Sequence, residues 1–380
     1  MAVTNFAALS ANEILLWKRQ TWRQARNQMF TTNFVGGDSN AMIQRVTDLR
    51  PTTKGTQCVI TLVSDLIGDG VAGDRNLEGN EEAMKSYEDI IRYDMLRHAV
   101  THEGRMADMK SIVNFRENAR NNVAYWLADR IDQMAFLTLS GVSYALTPNG
   151  ALRTGSDLPY LEFASDVSAP TTNRHYRWDA TNGLVTADTT AVATADLPTW
   201  EMLIEAKALA REKYIKPIRM NGGVDVYHVF MTPRGIAKLK QDDAFLAAWQ
   251  NARERSANNP LFKGTAHMNG IMVDGLMIHD FRYVYNTLGA TAGTSGEAGD
   301  AGYKWGADAD VDGQRILFCG AQALAMADIG LPLWVEKEFD YDNRPGISIG
   351  KMFGFLKPKF YSIYEQATED FGVLCIDTAI

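Results

Sequence analysis

The chain has 380 residues, of which 46% are hydrophobic, 10% aromatic and 22% charged, and this composition excludes wholesale disorder. The formal net charge of −8 argues against a protein that coats nucleic acid by charge attraction. No apolar stretch approaches the roughly 18 residues that span a bilayer, and the N-terminus lacks the pattern of a secretory signal. Cys58, Cys319 and Cys375 are far apart in the sequence, which indicates neither a disulfide framework nor a zinc site. These features predict an acidic, soluble, intracellular protein with several lobes.

The first predicted element is a helix from Ser10 to Phe30. Ser10 and Glu13 have the spacing of a capping box, and apolar residues behind them recur on one helical face. The other face carries four basic residues, Lys18, Arg19, Arg23 and Arg26. Two interpretations stay open, namely a solvated helix face and an arm that docks on an acidic neighbour.

Two predicted strands flank a long polar segment. Residues 56–63 are rich in β-branched side chains, which favours a strand. Residues 87–99 mostly alternate between apolar and polar, which indicates a second strand, although a helix stays open. The glycine- and acid-rich residues 65–82 lie between them. Because an isolated two-stranded ribbon is only marginally stable in water, we expect this extended hairpin to lie on a neighbouring subunit.

A long helix is predicted between Gly104 and Gly141. The intervening residues include neither Gly nor Pro, and apolar residues recur at three- and four-residue steps. Such a helix would be roughly 45–50 Å long. Residues 142–196 are rich in Thr, Ala, Asp, Ser and Gly without helical periodicity, which predicts a surface insertion with, at most, short strands.

The remaining sequence predicts helices and strands without a regular βαβ rhythm, which favours an α+β class. Helices are expected after Pro198, Thr232 and Asp243. Strands are expected at residues 224–231, 271–281, 315–319, 333–339, 347–361 and 371–377.

Residues 68–73 match the GxGxxG pattern of dinucleotide-binding folds. That function requires a helix to open at the third glycine, whereas residues 74–80 form a poor helix and add negative charge. A flexible hairpin tip is therefore favoured, and a nicotinamide-dependent enzyme is kept as a disfavoured alternative.

Two further patterns resemble metal sites without completing them. Residues 308–313 resemble the first half of a calcium loop, but the twelfth position is Cys319 and not the required Glu, so a solvated acidic turn is favoured. His98 and His102 are four residues apart, but Ala99 stands where a zinc helix needs Glu. The other histidines, His175, His228, His267 and His279, are isolated. We predict no catalytic, cofactor or metal site.

Several segments together carry a resemblance to a known family. In chain order these are residues 73–74, 77–82, 97–100, 126–132, 259–264, 275–279, 320–324 and 338–341. Their order and spacing resemble the major capsid proteins of tailed bacteriophages with the Hong Kong 97-type fold. More narrowly, they resemble the family typified by the major capsid protein of the enterobacterial podovirus N-four. The N-terminal arm and residues 289–302 depart from this likeness.

The resemblance implies an α+β Hong Kong 97-type fold with six parts. These are an N-terminal arm (1–46), an extended hairpin loop or E-loop (47–103), a spine helix of the peripheral domain (104–141), a surface insertion (142–198), an axial domain (199–335) and closing strands of the peripheral and axial domains (336–380).

The resemblance also implies what the protein does. It implies self-assembly into hexamers and pentamers of an icosahedral shell that encloses double-stranded DNA, without enzymatic activity, cofactor or membrane contact. Assembly would take place in the host cytoplasm, with a portal as partner and with decoration or scaffolding proteins as further candidates. An encapsulin-like nanocompartment shell of the same fold is the alternative.

The candidate intersubunit contacts are two oppositely charged segments. The acidic hairpin tip carries Asp65, Asp69, Asp74, Glu78, Glu81 and Glu82. We hypothesise that this tip meets a basic surface of the next subunit, for which the Lys18, Arg19, Arg23 and Arg26 face is one candidate. Exposed ion pairs are worth about 0–1 kcal/mol each, so they would set register more than affinity.

Overall fold

A computed structural model of the chain describes most of its residues. These are residues 11–46, 57–63, 66, 68–82, 86–104, 106, 109, 115–220, 223–254, 270–362 and 365–380. In this part of the chain the helices are α1 (Ala11–Gln28), α2 (Phe115–Ser140), α3 (Trp200–Glu212), α4 (Pro233–Leu239) and α5 (Asp243–Glu254).

The strands of the described residues form two larger sheets and two ribbons. They are β1 (Val35–Gly36), β2 (Ile43–Val46), β3 (Gln57–Val63), β4 (Ser86–Arg92), β5 (Asp94–Thr101), β6 (His175–Asp179), β7 (Gly183–Thr186), β8 (Ile218–Met220), β9 (Val224–Met231), β10 (Gly270–Val273), β11 (Leu276–Asp280), β12 (Gly313–Cys319), β13 (Leu324–Phe339), β14 (Arg344–Leu356), β15 (Lys359–Ser362), β16 (Ala367–Asp370) and β17 (Val373–Ala379). The predicted α+β class is confirmed.

An eight-stranded mixed sheet has the order β10-β11-β9-β12-β17-β6-β7, with β8 paired to β9. Its central strands are apolar on both faces because both faces are covered. One face packs against α3, α4 and α5, where Phe318 and Ile376 meet Leu203. The other face packs against α2, where the ring of Phe136 lies 5.3 Å from that of Phe230.

The predicted helix starts at α3 and α4 are confirmed and have local causes. The Thr199 hydroxyl accepts a hydrogen bond from the Met202 amide, and the Thr232 hydroxyl accepts one from the Gly235 amide. Pro233 stands in the first turn of α4, where its missing N–H leaves no helical bond unmade.

A five-stranded sheet has the order β1-β2-β13-β14-β5, and α1 and α2 pack on one of its faces. Trp22, Ala25 and Met29 of α1 are buried in the core that they share with α2. The α1 segment is therefore packed on its own subunit and is not a free arm. Its apolar stripe is satisfied by its own chain, while Arg19, Arg23 and Arg26 stay exposed.

The long predicted helix is confirmed over Phe115–Ser140, a length of about 39 Å. Met106 and Met109 are also helical, and residues 105, 107, 108 and 110–114 lie outside the described residues. The helix is amphipathic only in its N-terminal half, since residues 131–140 are buried on every side. The reason is that α2 runs between the two sheets. At Gly141 the backbone turns with φ of 65°, a left-handed conformation that suits glycine at the C-terminal end of a helix.

The expectation that residues 142–198 form a surface insertion is corrected by the structure. Tyr144 and Phe163 are buried in the core around α2, and Trp178 is buried against the α3 side of the large sheet. Strand β6 pairs in parallel with β17, so this segment extends the large sheet. Its buried apolar residues lie in short groups separated by polar segments, which is why they give no helical periodicity. Two such groups are Val142, Tyr144, Leu146 and Leu158, Leu161, Phe163.

A buried ionic network connects the end of α2 to the large sheet. The Arg315 guanidinium donates to both Asp377 carboxylate oxygens, at 2.8 and 3.1 Å, and to the Ser140 carbonyl at 2.9 Å. His175 Nε2 lies 2.8 Å from the same carboxylate. Burial alone would raise the pKa of Asp377, but the charges of Arg315 and His175 lower it to about 2.

This depressed pKa predicts how acid affects the unassembled subunit. The Asp377 contribution to stability is present above the ordinary pKa of 3.8 and is lost as the pH falls through about 2, a loss of about 2 kcal/mol. At pH 7, Asp377→Asn should cost about 3 kcal/mol because it leaves a buried guanidinium uncompensated. Urea unfolding midpoints measured from pH 7 to pH 2 should show the gap between wild type and variant shrinking. A difference in unfolding midpoint that is independent of pH would contradict a stabilising role of the ionised Asp377. The control is Asp308→Asn, which changes an exposed carboxylate.

Candidate intersubunit surface

The predicted hairpin arm is confirmed in its strands. Strand β3 pairs antiparallel with β4 from Gln57↔Arg92 to Val63↔Ser86, and this ribbon is a two-stranded sheet of its own. After Tyr93 the chain leaves the ribbon as β5, which pairs with β14 in the five-stranded sheet. The arm is thus joined directly to the sheet that packs on α1 and α2.

The root of the arm is fixed on the body of its own subunit. Ile91 is fully buried and packs in a cluster with Ala325, Ala327 and Leu356. Arg92 forms hydrogen bonds to Ser165 and Asp166 at 2.8 and 2.5 Å. The Lys359 amide donates to the Asp89 carboxylate at 2.8 Å. Only the part of the arm beyond this root is available for a neighbour.

The tip of the arm, residues 68–82, is almost entirely exposed. Glu82 accepts a hydrogen bond from the Gly68 amide at 2.7 Å, and Glu81 accepts one from the Gly79 amide at 2.8 Å. These two predicted contact residues therefore organise the tip itself. Asp69, Asp74 and Glu78 point outward as exposed carboxylates, while Asp65 lies outside the described residues. No helix begins within residues 68–82, so the GxGxxG pattern lacks the helix that dinucleotide binding requires.

The basic residues of α1 lie on its solvent side. Arg19, Arg23 and Arg26 are exposed and Lys18 is half-buried. Among the residues that the structure describes, no ion pair joins this basic face to the exposed tip carboxylates. A single subunit does not bring the two predicted surfaces together, so any contact between them must involve two copies.

The distal parts of β13 and β14 form a ribbon that the sequence did not indicate as a candidate intersubunit surface. Its apex, residues 340–342, holds three consecutive non-glycine residues at positive φ, between 49° and 66°. Tyr341 at the apex is fully exposed. The sequence predicted strands at residues 333–339 and 347–361 here, but it gave no signal that the first strand begins as early as Leu324.

The histidines and acidic turns have structural partners. His98 stacks on Trp126 at 4.5 Å, and His102 Nδ1 accepts a hydrogen bond from the Gly104 amide. His228 and His279 are buried and bond to each other at 2.9 Å, and burial lowers the pKa of His228 to about 3. Asp312 of the acidic turn forms an ion pair with Lys304.

Over the described part of the chain, no group of three or more His, Cys, Asp and Glu residues could hold a metal ion. Cys319 and Cys375 are buried free thiols, whereas the side chain of Cys58 and all of His267 lie outside the described residues. None of the described helices has the length and apolarity to cross a bilayer.

Two sheets around a long central helix, with a hairpin arm rooted on one of them, define a Hong Kong 97-type capsid protein. A family profile described as phage capsid protein matches residues 5–380. The major capsid protein of Pseudomonas phage KPP25 is 52% identical over 379 residues, which cover 99% of this chain and 97% of that protein. The chain belongs to this phage capsid protein family, and the predicted resemblance is confirmed.

Solved structures show the same architecture. The capsid of Ralstonia phage GP4 matches with a TM-score of 0.71 and 26% identity, covering 92% of this chain and 90% of that chain. The capsid of cyanophage Pam1 matches with a TM-score of 0.67 and 17% identity over 100% and 96% of the two chains, and this second likeness concerns the fold alone. The protein is a phage major capsid protein, and its location is the capsid of the virion.

The close approach of the arm root to β14 gives a testable prediction. A Cβ atom added at Gly354 would lie 2.0 Å from the Arg92 carbonyl oxygen, a backbone atom. Gly354→Ala should therefore push the arm root away from β14 and cost about 1–3 kcal/mol. We expect faster tryptic cleavage after Arg92 in the unassembled subunit.

The matched control is Gly296→Ala, because a Cβ atom there would meet nothing within 4 Å. Equal cleavage rates after Arg92 in wild type and Gly354→Ala would show that the root is not held in this way.

Proposed function

We propose that the chain assembles into hexamers and pentamers of an icosahedral shell that encloses double-stranded DNA. The observation that carries this proposal is the hairpin arm, whose root is fixed on its own subunit while its acidic tip is exposed. A head-to-tail contact of this kind closes into rings, and the rings can then tile a shell. The role is structural, without a reaction of its own. A portal is the expected partner, with scaffolding or decoration proteins as further candidates.

The energetics of such a shell favour many weak contacts. An arm laid across a neighbour buries ribbon surface that has no cover within its own chain. Each contact is weak alone, but contacts act together once several subunits are linked. Weak contacts also allow misplaced subunits to leave before the shell closes.

The exposed carboxylates of the tip supply the negative charge in the proposed contact between the arm and the next subunit. We propose that Asp69, Asp74 and Glu78 face the Arg19, Arg23 and Arg26 side of α1 on the next subunit. Both sets are exposed in the single subunit, and they have opposite charge. Each pair contributes about 0–1 kcal/mol, so the contact fixes register and steers association.

Reversal of the tip charges tests this contact. The triple substitution Asp69→Lys, Asp74→Lys and Glu78→Lys should lower the yield of shells at least tenfold, since like charges would then meet at every arm. The subunit should stay folded because these side chains are exposed. Shell yield is measured by sedimentation and negative-stain microscopy, and folding by circular dichroism.

Two comparisons separate this contact from a general charge effect. Asp300, Asp308 and Asp310 are also exposed, so converting all three to Lys makes the same change in net charge away from the arm and should leave assembly unchanged. Reversing Arg19, Arg23 and Arg26 to Glu should restore assembly of the tip variant. Normal shells from the tip variant would refute the charge contact.

Two alternative functions have less support. An encapsulin-like shell shares the fold, but the family match and the 52% identical relative are phage capsid proteins. A nicotinamide-dependent enzyme would need the GxGxxG segment to open a helix, and this segment lies in the exposed tip without one.

The packaged DNA is expected to be held by enclosure and not by tight binding. With a net charge of −8, the isolated subunit should bind duplex DNA weakly. A plot of log affinity against log salt concentration should be shallow, because few phosphates are neutralised. Fluorescence anisotropy with labelled duplex DNA measures this slope, and a steep slope would contradict retention by enclosure.

A further inference from the structure

Two arginine side chains converge on one neutral acceptor beside helix α2. Arg130 Nη1 donates a hydrogen bond to the Gln133 side-chain oxygen at 2.6 Å, and Arg153 Nη2 donates to the same oxygen at 3.1 Å. Gln133 is buried and both arginines are half-buried. Because an amide oxygen carries no net charge, it accepts these hydrogen bonds without neutralising either guanidinium.

The fold holds both arginines in place. Arg130 and Gln133 are three residues apart on α2, so they lie on one side of the helix. The backbone amide of Arg153 donates to the Ala145 carbonyl at 2.8 Å, and its Nε donates to the Leu146 carbonyl at 3.0 Å. The two guanidinium groups are therefore already positioned in the single subunit, which lowers the entropy that a ligand must overcome.

The arginine pair has no carboxylate partner. Over the described residues, neither Arg130 nor Arg153 takes part in an ion pair. The adjacent carboxylate of Asp129 is engaged elsewhere, since it accepts hydrogen bonds from Arg282 at 3.0 Å and from the Tyr283 hydroxyl. Burial and the like charge of Arg130 lower the pKa of Arg153, as expected for two cations held together.

We propose that Arg130 and Arg153 form a binding site for a phosphate group. Each guanidinium presents a planar fork of N–H donors, which matches the spacing of oxygens in an oxyanion. One fork can occupy both oxygens of a carboxylate, whereas a phosphate group offers enough oxygens to bond two forks at once. The inference goes beyond the proposed assembly role and does not depend on it. Two sources share this chemistry, namely a free phosphate ion and the phosphodiester backbone of DNA.

Removal of one guanidinium tests the site. Isothermal titration calorimetry of the unassembled full chain with inorganic phosphate, at constant ionic strength, should show binding at least tenfold weaker for Arg130→Gln than for wild type. The matched control is Arg234→Gln, which removes the same charge from an exposed position on α4 and should bind phosphate like wild type. No phosphate binding by wild type, or equal affinity in wild type and Arg130→Gln, would overturn the proposal.

Thermal unfolding separates a ligand site from a purely structural role. In phosphate-free buffer, Arg130→Gln should unfold at the wild-type temperature or above it, because the substitution relieves repulsion between like charges. Added phosphate should raise the Tm of wild type, since a ligand that binds the native state stabilises it, and should leave the Tm of Arg130→Gln unchanged. An Arg130→Gln variant that gains as much from phosphate as wild type would contradict the site.

Two further titrations identify the ligand. Dimethyl phosphate presents the phosphodiester group of DNA, and binding that is lost in Arg130→Gln would extend the site to the DNA backbone. Binding of inorganic phosphate without dimethyl phosphate would support the site with the free ion as its ligand. Acetate presents a carboxylate, and acetate binding as tight as phosphate binding would overturn the assignment to phosphate. A single site of this kind adds about one phosphate contact per subunit, which is compatible with the shallow salt dependence expected for duplex DNA.

Discussion

Assembly of this fold depends on the hairpin arm of β3 and β4, whose two ends differ in how they are held. At its root the arm is held by a buried isoleucine and by hydrogen bonds to the body, whereas its tip is exposed. An isolated two-stranded ribbon is only marginally stable in water, so in the proposed assembly a neighbouring subunit stabilises the distal part of the arm. A phage capsid protein needs exposed surface of this kind, because assembly is favourable only if contacts between subunits bury surface that the single subunit leaves exposed.

The long helix α2 connects the two sheets of the body that carries the arm. One of its sides faces the large sheet through Phe136, and another faces the five-stranded sheet through the core shared with Ile349 and Phe353. Its C-terminal carbonyl group at Ser140 is bonded to the buried Arg315–Asp377 pair. Both sheets therefore pack on the same helix, which places the arm root and the large sheet around one shared core.

Much of this fold could be predicted because its signals are local. The hairpin strands follow from β-branched composition in residues 56–63 and from period-two alternation in residues 87–99. The starts of α3 and α4 follow from Thr and Pro at capping positions. Residues 142–198 were wrongly predicted as a surface insertion because Phe163 and Trp178 are buried through contacts with residues far away in sequence. The anchoring of α1 was missed for the same reason, since Trp22 meets Lys351 across more than three hundred residues. At the candidate site the acidic tip was recognised from composition, but composition does not show that Glu81 and Glu82 bond the tip's own backbone.

The position of α1 matters because weak charge contacts require fixed geometry. Asp132 of α2 accepts hydrogen bonds from the Phe30 amide at 2.9 Å, the Thr31 amide at 3.2 Å and the Thr31 hydroxyl at 2.6 Å. Its burial raises its pKa to about 6, so the carboxylate is held in the core at an energetic cost. These hydrogen bonds attach the residues that directly follow α1 to the central helix α2. In the proposed contact with a neighbour's arm, a basic face held in this way is already ordered, so less entropy is lost on binding. Exposed ion pairs that would be worth little on a loose arm can then set the register between subunits.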